Sequence, residues 1–99
     1  MGQFTVTPQT LRDKADQLHS LNSQYKAALE TLQSQEGTLQ GQWEGQARDT
    51  FHREFTKDVS RLMQFYSAVE DYSQKLRQIA QQYADAEKKN LSTASARNS

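Results

Sequence analysis

The sequence predicts an all-α fold: an antiparallel helical hairpin that dimerises into a four-helix bundle. Three observations predict it. Apolar side chains recur every seven residues on both sides of the chain's midpoint, the spacing of helices packed as in coiled coils. Trp43-Glu44-Gly45 stands between the two patterned segments, where a bend belongs. Breakers are scarce, with one proline and four glycines in 99 residues, which leaves room for long helices and little for a many-turned β fold.

Helix 1 is expected over about residues 8–40. Thr7 can cap free backbone N–H groups and Pro8 suits the first helical position, where no N–H is needed. Val6 and Leu11 are placed to form a hydrophobic staple across that cap. The stripe then runs Leu11, Leu18, Tyr25, Leu32, Leu39. A second row, four residues on, reads Ala15, Asn22, Leu29, Glu36, Trp43, so Asn22 and Glu36 interrupt it. Gly37 and Gly41 weaken the helix end, at ~1 kcal/mol each against alanine. The bend is expected over about residues 41–46, with Gly45 free to take the positive φ that a tight reversal often needs.

Helix 2 is expected over about residues 47–88. Its rows are Phe55, Leu62, Val69, Leu76, Tyr83 and, offset by three, Phe51, Asp58, Phe65, Tyr72, Ile79, Ala86. A third row adds Val59, Tyr66 and Ala80. Three adjacent rows are wider than one partner helix can cover. Folding back sets Leu32 near Phe55, Tyr25 near Leu62, Leu18 near Val69 and Leu11 near Leu76. Beyond Ile79 helix 1 has run out, so Tyr83 and Glu87 overhang. Residues 90–99 are small and polar and are expected to be disordered. The whole chain, 1–99, forms one domain.

Composition narrows the function. Apolar residues make up 34% of the chain and charged residues 24%, with a mean hydropathy of −0.97. Narrow stripes on long helices make a thin core, and chains of this size are marginal in any case. Twelve basic and twelve acidic residues balance, and no basic cluster exists to track a nucleic-acid backbone. Cysteine is absent, which excludes disulfides and thiol chemistry. No run of about 18 apolar residues is present to insert stably in a membrane, and the N-terminus lacks the features of a cleavable signal peptide. The neutral, Gln-rich polar face argues against a surface-active membrane effector.

Tyr83-Ala84-Asp85-Ala86-Glu87 completes the set of motifs. With the chain length, the Thr7-Pro8 helix start and the central Trp43-Glu44-Gly45, it makes the sequence resemble the WXG-hundred family. These are the ESAT-like small proteins handled by type VII secretion systems of mycobacteria and Gram-positive bacteria. The resemblance covers most of the chain, and Tyr83-x-x-x-Glu87 matches the family's Tyr-x-x-x-Asp/Glu secretion motif in its Glu form. It implies a secreted, virulence-associated protein, folded in the cytoplasm and exported as a dimer without a cleavable signal peptide. It further implies recognition by a membrane secretion ATPase, with the Trp-x-Gly bend of one subunit near the C-terminal motif of its partner. That partner is a second copy, by default, or a sister protein of the same family.

No cofactor, metal or enzyme activity is expected. His19 and His52 sit singly on different helices without metal-ligand spacing. Asp49, His52 and Glu54 lack a nucleophile and a pocket, and read as solvated charges. The aromatics Phe51, Phe55, Phe65, Tyr66 and Tyr72 fall at helical spacing and read as packing. Asp58, in an otherwise apolar row, faces solvent or a partner molecule. The residues expected in the hairpin or dimer core are Leu11, Leu18, Tyr25, Leu29, Leu32, Phe51, Phe55, Leu62, Phe65, Val69, Tyr72, Leu76 and Ile79. Tyr83 and Glu87 are the expected signal and Trp43 and Gly45 the bend. The competing reading is a non-secreted adaptor hairpin that serves only to dimerise.

Overall fold

The computed structural model describes residues 6–98, with side chains as far as Ser92. Two helices account for it: α1 (Pro8–Gln42) and α2 (Gln46–Asn98), folded back on each other. No strand occurs among the described residues.

α1 starts where the sequence places it. Thr7 is extended (φ −126°, ψ 162°), and its hydroxyl accepts the Thr10 N–H at 3.1 Å while the Thr10 hydroxyl accepts the Thr7 N–H at 2.8 Å. This reciprocal pair satisfies two backbone donors that the first helical turn would otherwise leave open. Gly37 and Gly41 are absorbed into the helix, which ends at Gln42. Trp43 is extended (φ −124°, ψ 135°) and Gly45 takes φ +103°. The Gly45 carbonyl then accepts the Asp49 N–H at 3.3 Å, and α2 opens at Gln46, where the sequence places it.

The expected end of helix 2 near residue 88 and the expected disorder of residues 90–99 need correction: α2 continues as helix to Asn98, and Ser99 lies outside the described residues. No glycine or proline occurs from Gln46 onward to break it. Lys88, Lys89, Leu91, Ala94, Ala96 and Arg97 all have good helix propensity, so continuing costs little despite the polar composition.

The expected register is close, but the seam is not the one expected. The buried positions are Ala15, Asn22, Leu29 and Glu36 on α1 and Val59, Ser73 and Ala80 on α2, with Tyr66 half-buried between them. These are the second row of helix 1 and the third row of helix 2. The rows expected to meet face to face flank this seam instead. Leu11, Leu18, Tyr25, Phe55, Leu62, Val69 and Leu76 are half-buried, and Leu32, Phe51, Phe65, Tyr72 and Ile79 are exposed. Of the expected core residues, Leu29 alone is buried within this one chain.

The physical reason is side-chain size. Ala15, Ser73 and Ala80 let the backbones come close enough for the Ser73 hydroxyl to donate to the Ala15 carbonyl at 3.0 Å. Large side chains between the helices would hold them apart, so they spread to the flanks. There the Tyr25 hydroxyl donates to the Leu62 carbonyl at 3.1 Å, the pairing that the antiparallel fold-back requires.

Candidate functional site

Three features carry the chemistry of this molecule: the bend, the far end of α2, and the open face between them. At the bend, Trp43 is half-buried and packs on Phe51 at 5.6 Å between ring centroids, and Phe51 stacks on Phe55 at 6.1 Å. The extended backbone at Trp43 and the positive φ at Gly45 turn the indole back onto the first turns of α2. Trp43 thus closes that end of the hairpin and begins an aromatic run that continues onto the open face.

At the far end, Ala15 opposite Ser73 sets the level of the two helices. Carried back along α1, this places Pro8 level with Ala80. Tyr83 is 40% exposed, and Glu87 is exposed one turn further on. Residues four apart share a helix face, so phenol and carboxylate point the same way. From the start of α2 to Tyr83 is about 55 Å at 1.5 Å per residue. The bend and the Tyr83–Glu87 pair therefore lie at opposite ends of one chain and cannot touch within it.

The open face joins them. A shallow groove lined by Leu18, Leu21, Asn22, Tyr25, Phe65 and Val69 lies at its middle, with Tyr25 edge-on to Phe65 at 5.7 Å. Leu21 remains 62% exposed, Phe65 59% and Tyr72 67%. A side chain of this kind gains roughly 1.5–3 kcal/mol when fully buried, so the face as it stands leaves much hydrophobic free energy unused.

The opposite flank of the seam is polar and laced. His19 Nδ1 lies 3.0 Å from Glu70 Oε1, and the buried Asn22 amide donates to Glu70 Oε2 at 2.8 Å and to the Tyr66 carbonyl at 3.0 Å. His52 Nδ1 lies 2.7 Å from Oε1 of the buried Glu36. Arg77 pairs with Asp16 at 2.7 Å, and the Lys26 ammonium sits 5.4 Å from the centre of the Tyr66 ring. The Asn22 amide bond is the main reason that the Glu70 carboxyl is held below its ordinary range, with His19 and Arg77 adding to it and partial burial opposing it.

This lacing was missed in the sequence, where His52 reads as a solvated charge and the histidines as isolated. The signal was present: Arg12, His19, Lys26, Gln33 and Gln40 recur at seven-residue intervals, a polar row flanking the seam. Among the described residues no group of three or more His, Asp or Glu is arranged to hold a metal ion. Among the described residues no helix is long and apolar enough to cross a membrane.

Comparison with known proteins points the same way. A family model described as "WXG100: Proteins of 100 residues with WXG" matches residues 3–88. An ESAT-6-like protein of Streptococcus agalactiae is 26% identical over 80 residues, spanning 81% of this chain and 83% of its own. An uncharacterized protein of Clostridium acetobutylicum is 25% identical over 85 residues, with 86% and 88% covered. Among solved structures, EsxB of Bacillus anthracis, described as a secreted protein, superposes with a TM-score of 0.79 at 23% identity over 88% of this chain and 99% of its own. EsxA of Geobacillus thermodenitrificans superposes with a TM-score of 0.75 at 24% identity, covering 90% and 96%. At these identities the two structures establish a shared fold.

Proposed function

The chain belongs to the WXG100 family, and from that membership we propose that it is a small substrate and carrier exported as a folded dimer by a type VII secretion system. The membrane-bound secretion ATPase reads Tyr83 and Glu87, on the stretch of α2 that runs beyond α1, together with the Trp43–Gly45 bend. No catalytic step is involved: the protein's work is to fold, pair and present a signal.

One observation carries this reading. α2 overruns α1 and holds Tyr83 and Glu87 exposed on one helix face beyond the start of α1. A rigid helix presents a phenol and a carboxylate at fixed spacing with little ordering cost on binding, which favours recognition over a flexible tail. The open apolar face supports pairing, and the ~55 Å between bend and signal means that a two-part signal needs two chains.

The test is export of Tyr83→Ala in cells with a working secretion apparatus. Export is expected to fall to background while the circular dichroism of the purified variant matches the parent. Normal export of the variant would overturn the recognition role. If the parent chain itself never reaches the medium, the adaptor reading takes its place.

A further inference from the structure

We propose that the bend-side third of the hairpin, residues 33–55, opens as a unit of its own while the rest of the seam stays closed, and that Glu36 sets how easily it opens. The opening concerns one hairpin alone and holds whether or not the chain is exported.

The two ends of the seam are fastened differently. Away from the bend, side chains of one helix reach the main chain of the other. Ser73 donates to the Ala15 carbonyl, Asn22 to the Tyr66 carbonyl and Tyr25 to the Leu62 carbonyl. Such bonds hold the two backbones at a set distance. The buried Ala15 and Ala80 let the helices approach closely there, and Arg77 pairs with Asp16 at 2.7 Å. Toward the bend, the cross-helix hydrogen bonds among the described residues join side chain to side chain. They run from Glu36 to His52 at 2.7 Å and from Arg48 to Gln40 at 2.8 Å. The His52 side chain is 55% exposed, so water competes for its bond.

The closed form also carries costs on this side. Glu36 takes the seam position that follows Ala15, Asn22 and Leu29, and its buried carboxylate has His52 as its hydrogen-bond partner. A carboxylate removed from water loses several hydrogen bonds, and one imidazole offsets only part of that loss. One turn on, the Gln40 amide nitrogen is buried and finds no acceptor among the described residues. Hollows of about 240 and 220 Å³ flank Glu36. Gln33 and His52 line one, Leu32, Leu39 and Phe51 the other, and Phe55 both. Side chains facing such gaps forgo dispersion contacts. Gly37 and Gly41 weaken the same turns of α1, and a methyl group at either would meet nothing within 4 Å, so packing does not require glycine there. Opening returns Glu36 and Gln40 to water and lets the turns that hold the glycines unwind. A region with few apolar contacts and exposed cross-links is the one that opens below the free energy of global unfolding.

The opening acts on the bend itself. Trp43 packs on Phe51 at 5.6 Å, so parting α1 from α2 frees the indole from that ring. A molecule that grips the freed indole draws the population toward the open form by as much as it prefers that form.

The test is amide hydrogen exchange of the full-length purified protein, read on peptic fragments by mass spectrometry. Residues 37–42 and 48–55 are expected to exchange at least about tenfold faster than residues 15–25 and 62–76, after correction for intrinsic rates. Glu36→Leu removes the buried charge and fills the hollows, and is expected to slow both bend-side fragments at least about tenfold. Gly37→Ala combined with Gly41→Ala leaves the seam untouched and serves as the second variant. It is expected to slow residues 37–42 roughly twentyfold and residues 48–55, on the other helix, by the same factor. Equal exchange along the whole seam in the parent would overturn the separate unit. Slowing confined to residues 37–42 in the double variant would show that α1 frays alone and would overturn it too. Unchanged exchange in Glu36→Leu would remove Glu36 from the role.

Discussion

At the scale of single residues, the polar groups at the seam decide how the helices meet. Asn22 is buried and spends its amide on the Tyr66 carbonyl and the Glu70 carboxylate. A polar side chain in a helical seam tends to fix register at some cost in stability, because any other alignment strands it without partners. Glu70 turns this contact into a dependence on pH. Its carboxyl is held below the ordinary value of 4.5, chiefly by the Asn22 amide, so folding favours the charged form. The resulting stability is complete above the unfolded value and is lost as pH falls through the lower folded one. Urea denaturation at a series of pH values from about 6 to about 3 is expected to show an acid limb that Glu70→Gln flattens, since the glutamine oxygen still accepts from Asn22 but no longer titrates. An acid limb identical to the parent's would mean that Glu70 contributes nothing to it. The need for a polar interruption was legible in the sequence at Asn22 and Glu36. Their partners were not, because Glu70 and His52 are 48 and 16 residues away and only the fold-back brings them close.

At the scale of elements, local chemistry explains the start of α1 and the bend, and its absence explains the length of α2. Thr7 and Pro8 announce a helix start by short-range sterics and hydrogen bonding alone, and the cap forms as expected. Gly45 takes φ +103°, a conformation that L side chains rarely adopt, while a methyl group there would meet nothing within 4 Å. Gly45→Ala should therefore lose about 1–3 kcal/mol through backbone strain alone, read as a lower thermal midpoint. An unchanged midpoint would show that the bend can form without a left-handed residue. Polar composition alone does not end α2, which continues as helix to Asn98. Without glycine, proline or a cap signal nothing stops the helix, and a polar helix standing free of the hairpin has no apolar stripe to mark its extent.

At the scale of the whole molecule, the hairpin is a rod of 82 × 25 × 20 Å built from two helices. A single layer of two helices has only one line of contact to bury, and here that line is filled by alanine, serine, asparagine and glutamate as much as by leucine and valine. The proposed dimer would cover the open face and so add to the stability of the hairpin. The thermal midpoint of the purified protein is expected to fall on dilution, by mass action on a folded dimer. A midpoint unchanged over a hundredfold range of concentration would show that the hairpin folds by itself. The sequence alone determined two long helices, where they reverse, and nearly how they align, because heptad spacing, capping and breakers act over a few residues. It also marks Tyr83 and Glu87 as lying beyond the reach of α1. Which row would become the seam was decided by the tertiary structure, since that choice turns on how closely two backbones approach. Small side chains win that contest over large ones, and so the large apolar rows were left outside, facing away from the hairpin's own seam.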